Sequence, residues 1–268
     1  MFPFFEPYEE FLVYTFWLTL TLCFFLFLWM MKKLAPRYNY ELDFFTKNIL
    51  IYFFSTLIFS RLFFVIGKWN DLKYITNPFE FFVTSDYNFS LMWWLFGFIL
   101  ALIILVRIKK ENIEKYIDPL VISFIFVLFI WYIWSLLGWQ VYGRPTDFWI
   151  EILYWHPFTP VPYQVPVFPL PIIYSILYFF LFSALYILSM YVHLKSLLGY
   201  LWMIIFSSIF LIFEFFSGKF DILKESNDTF AINITQLLSI FLIIICVYRL
   251  YLLMKANEWK EIIILHKN

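Results

Sequence analysis

Seven apolar runs of roughly 16 to 24 residues, separated by polar or aromatic stretches, organise the chain. They cover Phe11 to Met31, Asn48 to Gly67, Phe89 to Val106, Pro119 to Gly138, Pro171 to Val192, Leu198 to Phe216 and Ala231 to Met254. Each is long enough to cross a hydrocarbon core of about 30 Å as a helix rising ~1.5 Å per residue. Lipid offers backbone groups no partners, and the alternation of a barrel strand is absent, so helices are the spanning structure these runs can form. The pattern predicts an all-α integral membrane protein, a bundle of about seven transmembrane helices. No internal repeat, long linker or low-complexity tract breaks it, and residues 1–268 read as a single transmembrane domain.

Basic residues set the orientation. Lys32, Lys33, Arg37 and Lys47 follow the first run, and Arg107, Lys109, Lys110 and Lys115 follow the third. Lys195 follows the fifth, and Lys255, Lys260 and Lys267 lie in the tail. The opposite side holds Lys68, Lys73, Arg144, Lys219 and Lys224. The asymmetry places the N-terminus outside and the C-terminus in the cytoplasm, in keeping with an odd number of spans.

Composition sharpens the membrane reading. Hydrophobic residues make up 63% of the 268 and charged residues 14%, against about a quarter charged in a soluble domain. The formal net charge of zero argues against a nucleic-acid partner, which would select a basic excess. The two cysteines, Cys23 and Cys246, both fall inside apolar runs and read as free core thiols. Leu20-Thr21-Leu22-Cys23 is a poor lipobox, because Leu22 stands where a small residue is needed. Glu6, Glu9 and Glu10 precede the first run in place of a basic region, so that run reads as a retained anchor.

The outer side holds the informative loops, Lys68 to Asn88 and, longest, Trp139 to Leu170. The second is rich in proline and aromatics and is predicted to be stiff and interfacial. Three charges fall within runs, where they normally face the bundle interior or water. Arg249, near the inner end of the last run, can snorkel to headgroups. Arg61 and Glu214 both lie toward the outer ends of their runs, and either pair as a staple or line a pocket open to the outside. Arg144 beside Asp147 forms either a local turn or a guanidinium clamp for phosphate. No Gly-rich phosphate loop, metal-like Cys/His cluster or G-x-S-x-G occurs, so neither a metal nor a cofactor is expected. His156 is the one histidine on the outer side and the weak candidate for a general base; as a lone loop histidine it is better explained by an ordinary interfacial role.

Several segments, in order, resemble the bacterial prolipoprotein diacylglyceryl transferase family. Gly143-Arg144-Pro145-Thr146-Asp147 resembles the family's G-R-P-T-D before a Pro-rich outer loop. Ser60-Arg61-Leu62-Phe63-Phe64-Val65 resembles G-A-R-L-x-x-V. Ser90-Leu91-Met92-Trp93-Trp94-Leu95-Phe96-Gly97 aligns with S-x-H-G-G-L-x-G. Ile173-Tyr174 sits where the family has P-S-Q-L-Y, Phe213-Glu214-Phe215-Phe216 resembles V-E-F-F, and Tyr14 falls where the family has Y-G. The resemblance runs over nearly the whole chain. It implies a multi-pass protein of the bacterial cytoplasmic (inner) membrane that works in lipoprotein biosynthesis. The reaction it implies moves diacylglyceryl from phosphatidylglycerol to the lipobox cysteine thiol of a prolipoprotein. Phosphatidylglycerol, or another anionic phospholipid, and prolipoprotein signal peptides are the partners it implies. That chemistry needs cations for the phosphate, which leaves as glycerol phosphate, and an acceptor for the thiol proton.

The chain departs from the family where those groups would stand. Met92 replaces the histidine, and Trp93 and Trp94 replace the paired glycines. Tyr132 replaces an arginine, Ser135 an asparagine and Gln140 a glutamate. Phe210 replaces the arginine four residues before Glu214, and Ser217 the arginine after it. None of these side chains supplies a guanidinium's permanent charge. Arg61, Arg144, Glu214 and Tyr14 survive, a set suited to an anionic headgroup. Three readings follow: a working transferase, a catalytically inactive relative that binds anionic phospholipid or a lipoprotein precursor, and an unrelated transporter or membrane scaffold. The lost charges predict weak or undetectable transfer with retained lipid binding.

Overall fold

A computed structural model describes residues 4–8, 11–67, 91–138, 141–147, 149–154, 161, 164–192, 196–218 and 234–256. Two short strands, β1 (Phe4–Tyr8) and β2 (Phe11–Tyr14), pair antiparallel and lead into α1 (Thr15–Tyr38). A short turn of helix, α2 (Asp43–Thr46), precedes α3 (Ile49–Gly67). Then follow α4 (Leu91–Ile108), α5 (Glu114–Leu137), α6 (Leu170–Leu188) and α7 (Leu197–Phe213). A 3₁₀ turn, Glu214–Phe216, extends α7, and α8 (Ile234–Ala256) completes the described elements.

The architecture is that of an all-α membrane protein. Among the described residues five helices are long and apolar enough to cross a bilayer: Leu18–Tyr38, Glu114–Leu137, Leu170–Leu188, Leu197–Phe216 and Thr235–Lys255. Ile49–Leu62 and Trp93–Ile108 are shorter apolar helices. Large side chains such as Phe25, Phe54, Phe180 and Ile244 stand more than half exposed. An apolar surface of this extent needs lipid against it.

The first predicted span needs correction at both ends. Residues Phe11–Tyr14 form a strand paired with Phe4–Tyr8, which takes Tyr14 out of the helix. At the other end α1 runs past Met31 to Tyr38 and passes through Pro36. Met31 and Leu34 are buried there, so the basic segment is a helix with one apolar face.

α5 is the centre of the bundle. α1, α6 and α7 pack against it, α8 packs on α7, and α3 pairs with α4. The main core joins Met30 and Leu34 of α1 to Ile122, Ile125 and Leu128 of α5, Tyr178 and Leu185 of α6, and Phe206 of α7. At the end carrying Lys32, Lys33, Lys109 and Lys110, called here the basic end, a second cluster ties α3 and α4 to the rest. Phe44 stacks on Tyr116 at 4.6 Å, and Tyr52 stacks on Phe98 at 4.9 Å. Tyr40 donates to the Met31 carbonyl in this cluster, and burial pushes its phenol well above the ordinary value. Where α3 crosses α4, Ser55 Oγ donates to the Gly97 carbonyl at 2.8 Å; a Cβ on Gly97 would lie 2.8 Å from the Ser55 oxygen.

Candidate functional site

The opposite end, where the Pro-rich loop returns the chain to α6, holds the candidate site. The loop is ordered by backbone pairing. Arg144 N–H donates to the Phe216 carbonyl at 2.9 Å, and Gly218 N–H to the Tyr142 carbonyl at 3.0 Å. Phe168 N–H donates to the Arg144 carbonyl at 2.9 Å, and Thr146 N–H to the Pro166 carbonyl at 3.1 Å. Arg144 therefore lies between two chain segments. Gly143 is needed beside it, because a Cβ there would collide with the Phe168 backbone. Tyr154 donates to the Val141 carbonyl at 3.3 Å, and burial holds its phenol well above the usual range.

The Arg144 side chain joins the same hook. Its Nε donates to the Ser217 carbonyl at 3.2 Å. Three residues before Ser217, Glu214 opens the 3₁₀ turn at the end of α7. The structure thus brings Arg144 and Glu214 to one place, although 70 positions separate them in sequence. Phe168 stacks on Phe216 at 4.7 Å and closes the hook on its apolar side.

Beneath the hook lies an aromatic stack. Tyr132 of α5 is 4.7 Å from Tyr174 and 5.5 Å from Tyr178, both on α6. Tyr174 lies parallel to Phe210 of α7 at 5.5 Å and edge-on to Phe213 at 5.9 Å. Tyr132, Tyr174, Tyr178 and Phe210 are all buried. The Glu214 carboxylate is within electrostatic reach of Tyr132 and Tyr174. Two positions where the sequence resemblance puts arginines, Tyr132 and Phe210, thus both pack against Tyr174. Ser135, one turn beyond Tyr132, is buried and donates back to the Tyr132 carbonyl at 3.0 Å. Ser217, a third replaced position, is buried and supplies its carbonyl to Arg144.

A cleft of about 140 Å³ opens sideways between α5 and α6 at this level, lined by Tyr132, Ile133, Leu136, Pro171, Ile172, Ser175 and Ile176. Its lining is almost wholly apolar and suits a hydrocarbon chain.

The other candidates lie on other elements. Arg61 is buried on α3, whose main partner is α4. Met92 lies in the first turn of α4. Next to it Trp93 is buried, and Trp94 lies parallel to Phe98 at 6.0 Å and to Phe124 of α5 at 6.3 Å. Tyr14 ends β2, opposite Phe4. His156 and Gln140 lie outside the described residues. Arg249 is exposed on α8, as a snorkelling residue requires. Tyr178 was not singled out in the sequence. Its signal is the four-residue spacing from Tyr174, which sets both rings on one helix face.

Over residues 4–252 the chain matches the family model of LGT, prolipoprotein diacylglyceryl transferase. Comparison with the curated proteins gives no match.

Proposed function

Since the chain belongs to the prolipoprotein diacylglyceryl transferase family, we propose that it binds phosphatidylglycerol at its loop end and carries out diacylglyceryl transfer weakly or not at all. It is a multi-pass membrane protein. In this reading it forms one domain in a bacterial cytoplasmic membrane with its N-terminus outside, so the hook faces the outer leaflet. Arg144 and Glu214 hold the headgroup, Arg61 and Tyr14 complete its surround, and the cleft between α5 and α6 takes an acyl chain. A prolipoprotein signal peptide is the second partner.

The family reaction forms a thioether between the lipobox sulfur and a glyceryl carbon. The bond from that carbon to the phosphate oxygen breaks, glycerol phosphate leaves with the electron pair, and the thiol proton passes to an acceptor. Negative charge grows on the phosphate as the bond breaks, and preorganised cations are the main means of stabilising it. The stack of Tyr132, Tyr174 and Phe210 carries the proposal. It occupies two arginine positions with rings that bear no charge, beside a hook that keeps its arginine and glutamate. Loss of one such donor costs about 100- to 1000-fold in rate, and several losses together leave little chemistry.

The test uses purified protein, phosphatidylglycerol and a lipobox peptide, with glycerol phosphate release and peptide mass as readouts. Release at or near background is expected, with saturable phosphatidylglycerol binding that weakens in Arg144→Ala and Arg61→Ala. Robust turnover lost in His156→Ala overturns the proposal, because the loop histidine would then be a working base.

A further inference from the structure

A second array of charge and aromatic rings lies at the basic end, far from the hook and unused by the proposed function. Lys33 and Arg37 are four residues apart on α1, one above the other on the same face. Both reach across to α6. Lys33 Nζ lies 5.5 Å and the Arg37 guanidinium 5.4 Å from the ring of Tyr186. Arg37 also donates to Ser189 Oγ at 2.7 Å. Lys33 sits 5.4 Å from the Trp29 ring as well. Among the described residues no carboxylate pairs with either cation. Two like charges at this spacing repel, and an anion between them relieves the repulsion.

The rings continue from the cations into the bundle's flank. Trp29 of α1 contacts Phe126 of α5 at 6.1 Å, Phe126 contacts Phe182 of α6 at 5.0 Å, and Phe182 contacts Tyr186 at 5.7 Å. One helical turn deeper, Phe129 contacts Phe179 at 5.3 Å. Trp29 is 52% exposed and Phe179 46% exposed, so this furrow between α1 and α6 is open on its outer side. From Tyr186 to Phe179 it runs about 10 Å along the helix axis.

We propose that this furrow binds one anionic phospholipid from the leaflet at the basic end, with its phosphate between Lys33 and Arg37 and an acyl chain laid along Trp29, Phe126, Phe182 and Phe179. The charge arrangement selects an anion, and the apolar track below it selects a lipid over a soluble phosphate. Ser189 and Tyr186 supply hydroxyls at the same level. The site is independent of the hook, and its occupancy clips α1 to α6 across α5, since both helices pack on α5.

The experiment measures the melting temperature of the purified full chain in uncharged detergent as phosphatidylglycerol or phosphatidylcholine of matched chains is added. Near an anionic surface each basic residue contributes about fivefold to binding, so the pair contributes about thirtyfold. Phosphatidylglycerol is expected to raise the melting temperature of wild type, with at least tenfold more lipid needed in K33Q/R37Q. Adding K33Q/R37Q to a chain that already carries R61Q and R144Q is expected to remove the part of the response that R61Q and R144Q leave, which separates this site from the proposed headgroup site. Lys33→Arg keeps the charge and the response, and verifies that substitution here leaves folding intact. An equal response to phosphatidylcholine, or to glycerol phosphate without chains, overturns the proposal. So does an equal loss in K109Q/K110Q, which would reduce the effect to diffuse surface charge.

Discussion

Removing the Asp118 carboxylate is expected to loosen the bundle at its basic end. Asp118 is buried on α5, 3% exposed. Its two oxygens accept from the first backbone N–H groups of another helix: Ser196 N–H at 2.8 Å and Gly199 N–H at 2.7 Å, at the start of α7. Ser196 has a left-handed φ of 65° and makes no side-chain cap of its own; its Oγ donates instead to the Glu114 carbonyl at 2.7 Å. The carboxylate is therefore the cap of α7, delivered from α5. Gly199 permits this approach, since a Cβ there would lie 2.5 Å from Ile117 Cγ2. In Asp118→Ala two buried N–H groups lose their acceptor, at about 1–3 kcal/mol each. Removing a buried charge gives part of this back. The net loss expected is about 2–4 kcal/mol, or roughly 5–15 °C in melting temperature. Asp118→Asn keeps one acceptor and should fall between wild type and alanine. Thermal unfolding of purified protein, followed by tryptophan fluorescence, measures all three. An Asp118→Ala protein that melts within about a degree of wild type would refute the capping argument.

Three further outcomes are expected. Gly143→Ala forces a Cβ against the Phe168 backbone and should destabilise the hook by about 1–3 kcal/mol, with weaker phosphatidylglycerol binding in the same sample. Tyr132→Arg places a guanidinium at a position only 3% exposed, between packed rings, and should lower the melting temperature by several degrees without restoring glycerol phosphate release. Burial raises the phenols of Tyr40 and Tyr154 in the folded chain, so the unfolded chain ionises first; their contribution is complete below the ordinary value of 10.0 and is lost as pH rises beyond it. Alkaline melting curves should therefore fall above that pH and flatten in a Tyr40→Phe, Tyr154→Phe double variant.

Helix positions were legible because lipid enforces them. The apolar run Asn48 to Gly67 became α3, Ile49–Gly67, since the run length and the bilayer thickness state the same constraint. Hydropathy fails where other forces act. Phe11 to Tyr14 is as apolar as a helix end, yet it pairs with Phe4–Tyr8, a contact between two segments that a single-segment pattern does not contain. The site was legible residue by residue and not as a surface. Arg144 and Glu214 each stood out as charges near membrane runs. Their meeting depends on backbone bonds between Tyr142–Arg144 and Phe216–Gly218, which involve no distinctive side chain except Gly143. The cap from Asp118 had no signature either. An acid near the end of an apolar run reads as interfacial, and its partners are backbone groups more than 70 residues away.

The rings at the loop end make sense as a set. A guanidinium at position 210 alone would meet Tyr174 face-on, and one at position 132 alone would displace a ring from a stack of three. A lone buried cation with no phosphate costs several kcal/mol, whereas stacked rings contribute about 0.5–1.5 kcal/mol per pair beyond their buried area. At both positions stability favours rings that pack on Tyr174 over a lone cation. Arg144 is different. Its side-chain Nε holds the Ser217 carbonyl, so the arginine serves the fold of the hook as well as any headgroup it meets. Retention of Arg144 alone is therefore no measure of transferase activity. The discriminating positions are Tyr132 and Phe210, where a charge would serve chemistry and nothing else.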